Sequence, residues 1–449
     1  MLVSTRKHTL RSTGRAILAS AAVLVLLIGT GCESDPTGPS DEERQEAQAL
    51  ADEGFTLLIS ALDAETPDPA ILNQAKGKFE DALDLDPENG DASVGLALTE
   101  IALMGTDPEI LALIGEFGPL LGLEAASSPG LGKLAGGQAV TADPVFSAEK
   151  TLDWFRHGFA RPGQVTPPPD LGAIQDLAEA VVLPVMELVM DLLAVVEDLD
   201  EWHLTLTAAM IGMEEGALEI DQTDVYMVDA VVHAMAAEIY AMVAYDMDTP
   251  TVMSDTLAVQ AAFDQDTGTF MTLRTNGAAN LGNSRTALLD GIARMNSFIA
   301  GLQTETDDQS DDLIKLDPTG LDGPTQEDLD EMQTGLAAVY LVLNGPQTVT
   351  EDFDDDGMDE DLQVDLSVLF TDPITDLKAL LPPYTWDSTH QMYYWDGYMI
   401  GDFTVFIFPD PDFNGVLPQF TTDAEFKAFF DITYFGSPGP FTSGAPVLF

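Results

Sequence analysis

Residues 223–245 read TDVYMVDAVVHAMAAEIYAMVAY, and this stretch decides the fold class. Apolar side chains occupy nearly every angular position of a 3.6-residue helix, so no wide polar face is left for solvent. Such a helix belongs at the centre of a helical body, with neighbours on several sides. Asp229 and His233 interrupt it, four residues apart and therefore on one face. That pair could bind a metal or relay a proton; the competing reading is a buried, hydrogen-bonded pair that serves packing alone.

The flanking segments are also helical in pattern. Residues 173–200 carry Val182, Val185, Met186, Val189, Leu192 and Leu193. Pro184 predicts a kink there, because proline offers no N–H and its ring crowds the preceding turn. Glu179, Glu187 and Asp191 are embedded in the same run and argue against a membrane span. A further helix is expected after Gly323-Pro324-Thr325, closing at Asn344-Gly345-Pro346, where glycine and proline end helices.

Toward the N-terminus, Ser40-Asp41-Glu42-Glu43 has the form of a capping box, and Ala47, Leu50, Ala51, Gly54, Phe55 and Leu58 follow at helical spacing. After a break at Thr66-Pro67-Asp68-Pro69, a second helix is expected over about 70–85. It carries Ala75, Phe79 and Ala82, then Pro87. These residues resemble the second helix of a tetratricopeptide repeat, where small residues let two helices approach and an aromatic fills the groove. Asp86-Pro87-Glu88-Asn89 and Ala92-x-x-Gly95-Leu96-Ala97 resemble the passage into the next repeat. No clean third repeat follows, and tandem repeats need several units to bury a continuous core. A helical hairpin is implied, not a long solenoid.

The last hundred residues change character. Thr348-Val349-Thr350 and residues 362–368, with Val364, Leu366 and Val368 alternating, predict strands, as does FTVFIF at 403–408. Asp410-Pro411-Asp412-Phe413-Asn414-Gly415 predicts consecutive turns. The expected fold is therefore mainly α, a helical-hairpin (TPR-like) body with a small β-containing C-terminal segment. The expected divisions are a helical region at 41–123, a loop or linker at 124–145, a helical domain at 146–345 and the β-containing segment at 346–449.

The N-terminus carries an address. Arg6, Lys7, Arg11 and Arg15 precede an apolar run, AILASAAVLVLLI at 16–28, and then Gly29-Thr30-Gly31-Cys32. A positive start, a short apolar core and small residues before the cut describe a secretory signal, and the run is shorter than the roughly 20 residues of a spanning helix. The arrangement resembles the lipobox of bacterial lipoproteins, in which Cys32 takes a covalent lipid. Gly29 departs from the usual leucine, with Ile28 one place earlier. The resemblance implies a signal peptide at 1–31, a polar tether at 32–40 and anchoring to a membrane through lipid on Cys32. Glu33, not aspartate, follows the cysteine, which favours the outer membrane, periplasmic or cell-surface face left open. Cys32 is the chain's one cysteine, so any core holds without an internal disulfide.

Charge excludes one class of partner. The 449 residues carry a net charge of −60, with 17 Lys+Arg against 77 Asp+Glu, and loss of residues 1–31 removes four basic residues and no acidic one. Binding to nucleic acid relies on cations that neutralise phosphates, so nucleic acid is not an expected partner. The acidity fits solubility in a saline habitat, divalent-cation binding or a plain solvated surface.

Two further constellations could carry chemistry. Asp352, Asp354 and Asp356, followed by Gly357, Met358 and Glu360, resemble the start of a calcium loop of EF-hand or thrombospondin-repeat type, with Gln363 at the place of the usual bidentate glutamate. The resemblance implies a structural Ca²⁺ held by Asp352, Asp354, Asp356, Met358, Glu360 and Gln363; the alternative is an acidic hairpin tip that binds nothing specific. The segment YTWDSTHQMYYWDGY at 384–398 offers Trp386 and Trp395 among carboxylates and amides, the composition of a ligand surface and equally of a core. Enzyme motifs are missing: there is no nucleophile elbow, phosphate loop or zinc-protease helix, so no catalytic residue is expected. The expected function is a non-enzymatic envelope lipoprotein acting as scaffold or interaction protein for an envelope protein partner. The alternative is a surface-displayed glycan- or nutrient-binding lipoprotein, calcium-stabilised.

Overall fold

The computed structural model describes residues 38–62, 67–108, 110, 171–199, 202–207, 217–248, 268–305, 314–316, 324–351, 360–380, 384–387, 392–395, 397–400, 403–406 and 408–429. The chain divides into two compact units, Met1–Gln45 and Glu46–Phe449. In the first, the described residues form the capping turn that opens helix α1 (Asp41–Leu62): the Ser40 N–H donates to Glu43 at 2.7 Å, and the Glu43 N–H donates to the Ser40 hydroxyl at 3.3 Å. Both donors of the expected capping box are thus satisfied.

The described residues are mainly helical, with a few short antiparallel strands. Helices α2 (Pro69–Leu85) and α3 (Gly90–Met104) follow α1. Asp68 and Asn89 accept N–H bonds at their starts, and Pro69 occupies the first helical turn, where a missing N–H costs nothing. Phe79 decides how these three helices meet. Its ring is fully buried, stands edge-on to Phe55 at 5.1 Å, and lies where a Cβ on Gly54 or Gly95 would collide with it. Two glycines on facing helices therefore make the slot that the phenyl ring fills.

Next come α4 (Leu171–Leu177), a π turn (Ala178–Val182) and α5 (Leu183–Glu197). The distortion expected at Pro184 takes the form of that π turn, in which the Leu183 N–H reaches back to the Ala178 carbonyl. Widening one turn moves the ladder out of the proline ring's way without breaking the helix. A hairpin of β1 (His203–Thr207) and β2 (Ala217–Asp221) leads directly into α6 (Gln222–Ala244), capped reciprocally by Asp221 and Asp224.

Helix α6 is the expected apolar helix, and α5 and α7 (Gly277–Thr304) pack on it. Small residues on α7 allow the close approach: Gly291 abuts the Ala230 carbonyl and His233, and the Ser284 hydroxyl donates to the Ala237 carbonyl at 2.8 Å. Complete burial, however, is not found. Val231 is 44% and Met235 37% exposed, so one strip of α6 remains at the surface. Helix α8 (Gln326–Asn344) then packs on α7, capped at Thr325 and closed by Gly345 at φ 151°, as the flanking residues predict. From α1 to α8, contacts run largely between helices neighbouring in chain order.

Helix C-termini lack their usual basic residues, since α1 to α3 and α5 to α8 have no Lys or Arg in the last turn. Glutamine amides take that role in part. The Gln222 amide donates to the carbonyls of Val196, Glu197 and Leu199 at the end of α5, and Gln175 donates to the Met242 carbonyl at the end of α6.

The remaining described segments are a hairpin of β3 (Gln347–Glu351) and β4 (Glu360–Val364), a helical turn α9 (Val368–Thr371), a 3₁₀ turn (Leu377–Leu380), hairpins β5 (Tyr384–Asp387) with β6 (Met392–Trp395) and β7 (Gly397–Ile400) with β8 (Phe403–Phe406), and α10 (Asp423–Phe429). The expected strand over 362–368 ends at Val364. Asp365 accepts from the Ser367 N–H and hydroxyl, a local turn that competes with the ladder and starts the helical turn instead. The expected turns at 410–415 are present, with Phe413, Asn414 and Gly415 all at positive φ. Leu362, Phe420 and Phe426 make a small core beneath them.

Candidate functional site

The most developed polar cluster among the described residues sits where α5, α6 and α7 converge. Asp229 is fully buried on α6, and His233 one turn later places Nε2 3.5 Å from Asp229 Oδ2. Arg294 on α7 supplies the cation. Its Nε stands 3.1 Å from both Asp229 Oδ2 and Glu197 Oε1, and its Nη2 lies 3.0 Å from Glu197 Oε2. Glu197 is the last residue of α5, with a side chain 10% exposed.

One guanidinium thus serves two carboxylates. Burial comes first in setting the Glu197 acidity, followed by the neighbouring Asp229 carboxylate, and together they push Glu197 up to about 7 against the opposing pull of Arg294. Desolvation works against the charge of Arg294, but Glu197 and Asp229 outweigh it and hold the guanidinium above its ordinary range. Tyr226 is raised by burial and by the charge of Glu197. Asp229 Oδ1 and His233 Nδ1 have no hydrogen-bond partner among the described residues, so the cluster is not fully satisfied internally.

The arrangement ties α5, α6 and α7 together through one guanidinium. The expected Asp229–His233 proximity is present, but the pair does not stand alone. Pattern reading missed Glu197 and Arg294 because they lie 97 residues apart. One signal was there: arginine is scarce in this chain, and Arg294 sits in the apolar run of α7. Among the described residues no group of three or more His, Cys, Asp or Glu is placed to hold a metal ion.

The other candidate residues are spread elsewhere. Cys32, Asp352, Asp354, Asp356 and Met358 lie outside the described residues. Glu360 and Gln363 lie on β4, where Glu360 pairs with Glu351 and Gln363 with Thr348, so residues 352–359 connect two paired strands. The Gln363 N–H donates to Gln419, and Asp361 accepts from the Thr350 hydroxyl at 2.6 Å. Trp386 and Trp395 belong to one hairpin: Trp386 stands opposite Tyr393 and Trp395 opposite Tyr384. The Phe79 slot and the Asp229 cluster occupy different helices.

Compared with protein-family models, with curated proteins and with solved structures, the chain matches none.

Proposed function

We propose that this chain is a lipid-anchored envelope protein that serves as a non-enzymatic interaction scaffold. The observation that carries the reading is the joint between α1, α2 and α3, where the Phe79 ring fills a slot made by Gly54 and Gly95. That is the packing a tetratricopeptide-like hairpin requires, and such hairpins act by presenting helix surfaces to other proteins. The lipobox-like N-terminus supports anchoring through Cys32 at the outer membrane, with the acidic chain held beyond the tether. The buried Glu197–Asp229–Arg294 cluster fits a structural pin better than a reaction centre, because the guanidinium takes both Glu197 oxygens and one oxygen of Asp229.

The test is crosslinking in intact cells, then purification through a C-terminal tag and mass spectrometry. Reproducible recovery of an envelope protein, lost when Phe79→Ala loosens the hairpin, supports the scaffold. Turnover of a substrate by the purified chain, with no protein partner recovered, sinks it.

A second reading is favoured by the β5–β6 register, which pairs Tyr384 with Trp395 and Trp386 with Tyr393. Aromatic residues suit the apolar faces of sugar rings, and this reading makes the chain a surface-displayed glycan or nutrient binder, with Ca²⁺ on the 352–363 loop as a structural support. Loss of glycan retention in Trp386→Ala and Trp395→Ala variants supports it, and a glycan array without signal removes it.

A further inference from the structure

The geometry points to one proton held between Glu197 and Asp229, a proton that latches the end of α5 and the root of the β1–β2 hairpin onto α6 and α7. Arg294 Nε bears a single hydrogen, yet Glu197 Oε1 and Asp229 Oδ2 both stand 3.1 Å from it. Ionised carboxylates only accept hydrogen bonds, so two such oxygens against one N–H repel each other. One proton between them turns the repulsion into a hydrogen bond and leaves one negative charge for one guanidinium. The rest of the cluster is poorly placed to balance a second charge. Asp229 is fully buried, its Oδ1 has no hydrogen-bond partner among the described residues, and His233 Nε2 stands 3.5 Å from Oδ2, beyond the range of a well-formed N–H···O bond. Glu197 is also the last residue of α5, where the helix carbonyls gather negative charge and the last turn has no basic residue.

Among the described residues, the titratable and charged groups around the pair are Asp198 just past α5, Tyr226 and His233 on α6, and Asp290 and Arg294 on α7. Arg294 is their one Lys or Arg. On α3, which also packs on α5, Asp91 accepts from Trp202 and Gln48 while Glu100 pairs with Lys76; in the π turn Glu179 pairs with Arg274. Burial, then Asp229, raises Glu197 to about 7, which puts release of the proton near neutral pH. The released proton goes to water and leaves two negative charges on one guanidinium. Asp229 sits in the middle of α6 and is held there, whereas Glu197 sits at a helix end and can swing outward. Gln222 sets what moves with it. Its amide joins the carbonyls of Val196, Glu197 and Leu199 to the start of α6, next to Asp221, which pairs with His203 across the hairpin. The last turn of α5 and the hairpin root therefore dock or loosen together. With an ordinary value of 4.5 when loosened and about 7 when docked, docking weakens roughly tenfold from about pH 6 to about pH 8.

Hydrogen exchange of the full-length chain tests the latch. It is read at the Asp198 and Leu199 amides, which close the end of α5 by donating to the Ala194 carbonyl at 3.3 Å and the Val196 carbonyl at 3.1 Å. After correction for the intrinsic effect of pH, their protection should fall roughly tenfold from about pH 6 to about pH 8. Exchange there should not respond to low urea, since a local opening exposes little surface. Glu197→Gln can still donate to Asp229 and carries no charge, so its protection should be the same at both pH values. Infrared difference spectra, wild type minus Glu197→Gln or minus Asp229→Asn, should show the C=O stretch of a protonated carboxyl at the lower pH and lose it at the higher. Equal protection of the wild type at both pH values overturns the latch. So does the same fall in Glu197→Gln, or a fall that follows urea, which marks global unfolding. Should Glu197→Gln not fold, Asp229→Asn takes its place in both measurements, and a spectrum without the carboxyl band at the lower pH removes the shared proton.

Discussion

Replacing Arg294 by methionine removes the one cation between two buried carboxylates while keeping most of the aliphatic stem. Glu197 loses contacts at 3.1 and 3.0 Å, and the fully buried Asp229 loses one at 3.1 Å. Taking one partner from a buried ion pair costs about 3–5 kcal/mol. The Arg294 side chain is 28% exposed, so water screens part of the field, and the expected loss is about 2–4 kcal/mol. A domain of ordinary stability has about 5–15 kcal/mol to lose, so the effect is large and measurable.

The cost must also depend on pH, with a definite sign. Burial raises the Glu197 pKa from its ordinary 4.5 to about 7. Between those values the folded chain holds a proton that the unfolded chain has released, so this group's stabilising contribution is full at low pH and is lost as pH rises through about 7. Without Arg294 the two carboxylates repel most strongly when both are ionised. The Arg294→Met penalty should therefore be larger at alkaline than at mildly acidic pH. Urea unfolding followed by far-UV circular dichroism, at one pH below and one above that transition, reads both quantities. A penalty under about 1 kcal/mol at the alkaline pH, or one equal at both, would refute the reasoning. The variant with Glu197→Gln, Asp229→Asn and Arg294→Met together should recover much of the loss, since neutralising a buried charge group is often close to neutral.

Other outcomes follow from the packing. Phe79→Ala empties the slot between Gly54 and Gly95 and should cost about 3–5 kcal/mol by the same unfolding assay, while Gly95→Ala, which drives a methyl into the Phe79 ring, should lower the melting temperature although alanine favours helix. Thr325→Ala removes the hydroxyl that accepts from the Asp328 N–H at 3.2 Å and should cost about 1 kcal/mol, read in the same way. Cys32→Ala should abolish incorporation of radiolabelled palmitate in growing cells; continued labelling would remove the lipoprotein reading.

Local chemistry accounts for what was legible. Ser40 with Glu43, Thr325 with Asp328, and Gly345 after Asn344 act within one turn, so their hydrogen bonds can be read from neighbouring residues. Pro184 declared a distortion, but choosing a π turn over a break depended on α5 keeping its packed face through Met186, Val189 and Leu193. The slot around Phe79 was half legible: Ala75, Phe79 and Ala82 marked one face and Gly54 lay in the spacing of the preceding helix, while the meeting of Gly54 and Gly95 on the Phe79 ring became visible only in three dimensions.

By itself the sequence determined the helical periodicity, the caps and the acid excess, because each is a property of residues a few positions apart or of composition. Tertiary structure decided which of the many carboxylates meet Arg294, since Glu197 and Asp229 reach it from different helices. It also decided which apolar surface stays exposed. Composition made α6 the helix to bury on every side, yet Val231 and Met235 on it, and Val339 and Leu341 on α8, remain at the surface. A periodicity says that a face is apolar; only the placement of neighbouring helices says whether anything covers it.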